Sequence, residues 1–424
     1  MYRNILICLV VALFAIVAVS ASSATVGGKK TLVLINNQNI KQTHSKFFKY
    51  LDGKGYQLEY KRVDDETIKL QKYGDFNYDN LIILTNSNSD ELSLTGGDLV
   101  EFVDSGRNVF IATTNQVSES IRDVASECGI EIQDDNTIVY DHFNFDKSES
   151  THNLIVADQF IKDSPIILQG ADKNPVLFKG IGHQLRDNPL NFAVLSTAYT
   201  AYSGKLNGQS TKLQGKIGLV SSLQARNNAR FTYSGSLDLL SNKFYEAKIN
   251  SDSPSGNQQF VENLISWTFQ DRGILRTSNR VITKGNETNP FQYTIKDVIT
   301  YSIKVEEFVN GQWVPYVDTL EFQLIMLDPY IRTFIKGDKD GVYTLTTKLP
   351  DHFGVYTFEA SVHRPGYGNL VDFTRHGIAP LRHNAYERFV PAAYPYYAAA
   401  FSMIGGVFVL SIVFLFHQDP KRIL

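Results

Sequence analysis

Apolar residues recur along the chain at three different periods, and each period predicts a different kind of element. Ile5–Val19 (ILICLVVALFAIVAV) is an unbroken apolar run behind a single Arg3, followed by small residues with Ser22 and Ala24 at −3 and −1 of a cut. This layout predicts a secretory leader over 1–24, the run being short for a membrane span. Buried strands are then expected at Thr31–Asn36, Gln57–Val63, Asn80–Thr85 and Asn108–Thr113. Between them fall amphipathic helices: one over about 42–52, one carrying Leu99, Phe102 and Val103 and closed by Gly106. A third places Ile121, Val124, Ala125 and Cys128 on one face, with Gly129 just past its end. Strands alternating with helices at this spacing imply a mainly parallel sheet covered on its faces. The rhythm resumes after a polar stretch near 150, with strands at 215–222 and 229–234 and a helix over 257–272 stopped by Gly273. This α/β region is expected to span 25–275, with two lobes meeting near 150–165.

Beyond it the period falls to two. Tyr301/Ile303/Val305, Leu320/Phe322/Leu324 and Tyr356/Phe358/Ala360/Val362 alternate with polar neighbours, and Asn310-Gly311 and Asp340-Gly341 supply turns. An antiparallel β-sandwich is expected over 280–385. The last pattern has no polar face: Tyr396–Phe416 is 21 residues without a charge, about 31 Å of helix and close to one hydrocarbon thickness. Tyr394, Tyr396 and Tyr397 crowd one end, as interfacial aromatics do. The expected span is 394–416, with a tail of 417–424. Flanking charge does not orient it, because Arg382 and Arg388 precede the span and Lys421 and Arg422 follow it. The leader does, and it predicts a type I single-pass protein with its bulk in the lumen.

Charge and cysteine narrow the function class. Lys+Arg total 41 against 44 Asp+Glu, so there is no basic excess to hold nucleic acid. Aromatics at 12% and charged residues at 20%, below the ~25% usual for soluble domains, exclude a disordered chain. Cys8 leaves with the leader, so Cys128 is the sole remaining thiol and no internal disulfide is expected.

Candidate chemistry is sparse. Cys128 lies in Ser126-Glu127-Cys128-Gly129, at a helix end and outside any nucleophile elbow, which reads as a buried structural thiol. Asp141, His142, Asn144, Asp146, Glu149 and His152 could gather a cation, but their spacing matches neither an EF-hand nor a zinc helix and reads as a solvated loop. Arg226 and Arg230 in LQARNNAR could hold a diphosphate; the plainer reading is two arginines serving backbone or acidic neighbours at a strand junction. No phosphate-binding glycine motif occurs, and no catalytic residue, metal or cofactor is expected. Asn286-Glu287-Thr288 is the one N-x-Ser/Thr sequon, so Asn286 is the candidate glycosylation site. In the span, Ala398, Ser402 and Gly406 recur every four residues beside Gly405, a stripe small enough for close helix packing.

These residues support a resemblance over nearly the whole chain. THSKFFKYL (43–51), KYGDFNYDNLII (72–83), SECGIE (126–131), LQARNNAR (223–230), YSGSLD (233–238), WVP (313–315), DPYIRTF (328–334) and YERFVPAAYPYYAAAFSM (386–403) resemble the 48 kDa subunit family of the endoplasmic-reticulum oligosaccharyltransferase. The resemblance implies a non-catalytic, stabilising subunit of the complex that transfers a preassembled oligosaccharide from dolichyl diphosphate to Asn of N-x-Ser/Thr. It implies the endoplasmic-reticulum membrane as location, and as partners a multi-spanning catalytic subunit with ribophorin II-type and DAD-type subunits. The tail departs from a di-lysine retrieval signal, since Arg422 occupies the −3 position, so retention through the complex is expected. Two rival functions differ in class: a cell-surface receptor for glycated or glycosylated ligands, and a lumenal hydrolase using Cys128.

Overall fold

The computed structural model describes residues 29–86, 92–205, 210–250, 253–309, 311–386 and 391–417. The expected leader (1–24) and the tail residues Lys421 and Arg422 lie outside the described residues. The N-terminal lobe is built on one sheet whose path runs Gln159–Phe160, Asn191–Ser196, Gly218–Gln224, Arg230–Ser234, Asn108–Ala112, Asn80–Leu84, Lys30–Ile35, Gln57–Arg62. The last five strands are mutually parallel and the first three join antiparallel. NLIIL at Asn80–Leu84 and NVFIA at Asn108–Ala112 are buried at every position, as strands covered on both faces must be.

The two faces feed two separate cores. Val33, Ile35, Ile82, Leu84 and Phe110 pack beneath helices Ser45–Gly53 and Asn257–Thr268. Leu32, Leu34, Leu81, Ile83 and Ile111 pack beneath Gly96–Asp104 and Glu119–Glu127. Thr95 starts the helix Gly96–Asp104 with a reciprocal capping box to Asp98, satisfying two backbone donors that would otherwise be orphaned.

The C-terminal lobe is two five-stranded, mainly antiparallel sheets. One centres on Val298–Val309 between Arg272–Lys284 and Val342–Lys348; the other carries Thr319–Met326 between Asp328–Lys336 and Gly354–Val362, with Leu370–Ala379 beyond. The alternating residues anticipated from the period of two, among them Tyr301, Ile303, Val305, Phe322 and Phe358, all enter its single core. A helix, Tyr394–Phe416, ends the described chain and buries none of its side chains.

Local differences have local causes. The helix anticipated over 257–272 ends at Thr268, with Gln270 left-handed at φ 62°. Strand Arg272–Lys284 starts directly afterwards and runs through the 275–280 junction between the expected regions. The helix anticipated over 42–52 begins earlier, as Asn39–Thr43, and restarts at Ser45 after His44. Turned into the core, His44 meets the carbonyls of Ile40 and Leu237 at 3.2 Å.

Candidate functional site

A dense polar network lies where the two lobes meet. Arg230 opens the central strand Arg230–Ser234 and is 1% exposed. Its Nη1 donates to the carbonyls of Trp267 and Arg272 (2.9 Å for the latter), and its Nη2 to those of Gly273 (3.0 Å) and Gly366 (3.4 Å). The guanidinium lies 4.5 Å from the Trp267 ring centre, and Trp267 Nε1 donates to the same Gly366 carbonyl at 2.7 Å. Burial pulls the Arg230 pKa down to about 9, still protonated at neutral pH. The fork thus holds four carbonyls drawn from the last helix of the first lobe, the first strand of the second, and the loop between Val362 and Leu370.

That loop is seated on the first lobe by further bonds. Gln224 accepts from Gly366 N–H at 3.1 Å and donates to the Tyr367 carbonyl; Asn228 accepts from Asn369 N–H at 2.5 Å; Ser164 donates to the Pro365 carbonyl at 2.6 Å. Gly273 and Gly366 both have positive φ, 69° and 85°. A Cβ on Gly273 would lie 2.6 Å from the Gly366 carbonyl oxygen, so the close approach needs glycine. Beside this joint opens a cleft of about 460 Å³ lined by Pro189, Leu190, Phe192, Tyr367, Arg226 and His363. Of the two arginines in LQARNNAR, then, Arg230 grips backbone and Arg226 stands exposed on the cleft wall.

The other sequence candidates are dispersed. Cys128 caps the helix Glu119–Glu127, is buried in the core, and has its thiol pushed up to about 12 by burial, with Asp104 and Glu127 adding. Such a thiol carries almost no thiolate at neutral pH. Asp141 is buried; desolvation opposes its charge, yet N–H groups of Phe143 and Asn144 and the hydroxyl of Thr200 hold its carboxyl below the usual range. Asp146 accepts from Ser148 and Asn250 N–H, both at 2.8 Å, and Glu149 pairs with Lys179 at 2.9 Å. His142 and His152 meet at 2.6 Å between their Nδ1 atoms, and His142 Nε2 lies 3.0 Å from the Tyr202 hydroxyl. Asp141, Asn144, Asp146 and Glu149 therefore fasten loops, and among the described residues no three His, Cys, Asp or Glu side chains converge on a metal-sized point. No sequence pattern marks a buried pair of a different kind, His183 Nε2 and Ser221 Oγ, which meet at 2.6 Å. Burial drives His183 down to about 3, so this imidazole stays neutral inside the sheet.

Asn286 occupies the tip of a tight hairpin closed by the Lys284–Glu287 pair, with Gly285 at φ 58°. Asn286 and Thr288 are both exposed, presenting the sequon to solvent. On the terminal helix, Ala398, Ser402, Gly405 and Gly406 are all exposed, and nothing lies within 4 Å of a Cβ built on either glycine. Ser402 donates to the Ala399 carbonyl at 2.9 Å, which leaves its hydroxyl satisfied within its own helix.

Comparison with known proteins gives a consistent picture across the chain. The family model described as "OST48, N-terminal domain" matches residues 22–271, and "OST48 middle domain" matches 281–418. A Danio rerio protein named dolichyl-diphosphooligosaccharide–protein glycosyltransferase 48 kDa subunit is 39% identical, with 97% of each chain covered. Proteins of the same name from Arabidopsis thaliana and Drosophila melanogaster are each 37% identical; 92% of this chain is covered in both cases, with 93% and 91% of theirs.

Proposed function

This chain belongs to the OST48 family, and from that premise we propose that it is a non-catalytic, stabilising subunit of the oligosaccharyltransferase complex, which transfers an oligosaccharide from dolichyl diphosphate to asparagine. The observation that carries this reading is the match, over more than nine-tenths of the chain, to relatives named as that complex's 48 kDa subunit. The chemistry of the site agrees. The polar joint spends a guanidinium on backbone carbonyls, which ties lobes together and activates no nucleophile. Cys128, the thiol a hydrolase would need, is buried and protonated. The apolar helix Tyr394–Phe416 is the membrane anchor, in the endoplasmic reticulum, with the two lobes on the lumenal side and Asn286 open to modification. Its small-residue stripe at Ala398, Ser402, Gly405 and Gly406 meets a helix of another subunit.

Purification of the tagged chain in a mild detergent, with mass spectrometry of what accompanies it, tests the reading. The expected companions are the multi-spanning catalytic subunit and the ribophorin II-type and DAD-type subunits. Glycan transfer by the assembled complex should survive Cys128→Ala. A chain that purifies free of these subunits, or a Cys128→Ala complex of normal abundance that transfers nothing, overturns it.

A further inference from the structure

Strand register gathers an unusual set of side chains at one end of the C-terminal lobe. Gly354 pairs with Ile378, near the end of Leu370–Ala379. Ile325 pairs with Thr357 and Met326 with Asp328, so the turn at Leu327 projects from that same end. The second sheet reaches it too: Val298 pairs with Lys348, and Leu349 N–H and Lys296 N–H bond to Asp297 and Pro350 across the gap.

Leu327 sits there 99% exposed, in a left-handed conformation with φ 65°. That conformation costs an ordinary side chain free energy and is usually filled by glycine or asparagine. A leucine held wholly in water on such a turn stabilises nothing within the fold. Phe353 and Val355, flanking Gly354, are exposed at the same end. This is also the end from which the chain departs: Leu370–Ala379 finishes here, and only residues 380–390 precede the apolar stretch Pro391–Phe416. Even fully extended, that connection reaches on the order of 40 Å.

We propose that this end of the lobe rests on the bilayer crossed by the terminal helix, with Leu327 and Phe353 entering the boundary between head groups and acyl chains. The proposal relies on the reading of Tyr394–Phe416 as a span. Exposed charges of both signs surround this end, Lys296, Lys348, Arg375 and Arg382 against Glu287, Asp328 and Asp351, with no dense basic cluster. The contact is therefore apolar, insensitive to salt and without need of anionic lipid. Asn286 caps the Arg272–Lys284 hairpin at the same end but on the other sheet, where Thr283 pairs with Thr300. The lobe accordingly tilts, with the Leu327 sheet toward the lipid and the sequon sheet away from it.

The test uses the intact complex in phosphatidylcholine nanodiscs, with one fluorophore on Leu327→Cys or, as a second site, Phe353→Cys. Cys128 is buried and does not compete for label. Lys339→Cys, in the turn at the opposite end (Val342 pairs with Lys304), is the aqueous reference, and Phe408→Cys on the helix is the lipid reference. A lipid-attached quencher should act at least about two-fold more strongly at 327 and 353 than at 339, with no change in high salt. Quenching at 408 with none above the 339 level at 327 and 353 overturns the docking while leaving the span intact. Labels at 327 and 353 shielded from lipid and aqueous quenchers alike mean that another subunit covers the tip, and overturn it equally. No quenching at 408 removes the span itself, and the docking with it.

Discussion

At the scale of single residues, Arg230 and Glu307 show opposite outcomes of burying an ionisable group, one satisfied by carbonyls and one left unpartnered and pushed toward its neutral form. Arg230 has no carboxylate in its hydrogen-bond set, only carbonyls from three segments. Replacing it with Met removes the charged fork, at a cost on the order of 3 kcal/mol. The carbonyls of Gly366, Gly273 and Trp267 each keep one donor (Trp267 Nε1, Gly368 N–H and Gln270 N–H) but lose the second, and the lobes lose their shared cation. Lysine restores the charge but lacks the fork, so Arg230→Lys should recover only part of the loss. Thermal proteolysis of the complex checks both, and wild-type resistance in Arg230→Met would deny the joint its role. Glu307 lies half-buried with Oε1 unpartnered, and burial pushes its pKa up to about 7. The native state therefore keeps a proton that the unfolded chain releases near the usual ~4.3 of glutamate. Native stability should fall as pH rises from about 4.5 through 7, because the unfolded state then binds fewer protons than the native one. Glu307→Gln removes that slope, and melting of the two forms at pH 5 and pH 8 measures it. Parallel pH dependence in the two would assign the slope elsewhere.

At the scale of elements, periodic burial was legible and long-range contact was not. Leu99, Phe102 and Val103 face the core from Gly96–Asp104, and Tyr356, Phe358 and Ala360 do so from Gly354–Val362, because one-sided burial imposes a period that the residues themselves carry. By sequence, Gly273 is an expected helix stop. Its conformation instead serves an approach to Gly366, far along the chain, which no local pattern records. The plainer reading of Arg230 in LQARNNAR, an arginine serving backbone or acidic neighbours, agrees with its carbonyl acceptors; which segments supply them leaves no trace in residue identity. The helix Tyr394–Phe416 raises the opposite case, since its pattern is clear while none of its side chains is buried against the described chain. Small residues at Ala398, Ser402 and Gly406 let another helix approach closely, while Phe401 and Phe408 keep the other stripe bulky. Ser402→Leu with Gly406→Leu should release the chain from its partners in detergent and lower its abundance. Phe408→Leu should be tolerated. Equal co-purification of both variants would place assembly in the lobes alone.

At the scale of the whole molecule, one joint and one anchor determine what can face what. The loop between Val362 and Leu370 is bonded to Ser164, Gln224 and Asn228 of the first lobe, so the lobes are coupled through many backbone atoms. Asn286 projects from the second lobe on a closed hairpin, exposed and free of the core. On the proposed reading, a leader at 1–24 and a span at 394–416 would put both lobes on the lumenal side and the last residues in the cytosol. Two readouts on opposite sides of the membrane then have to agree. The chain should show one glycosidase-sensitive mobility shift, abolished by Asn286→Gln, and a C-terminal tag should be digested by protease added to intact microsomes. The tag is the decisive arm, because a sequon can escape modification once its hairpin has folded, whereas a span that crosses once cannot hide its end. Protection of the tag in sealed vesicles would reverse the orientation and leave Arg422 and Lys421 in the lumen. Digestion of the tag together with a glycan at Asn286 fixes the lobe joint, the sequon and the apolar tip at Leu327 on the lumenal face.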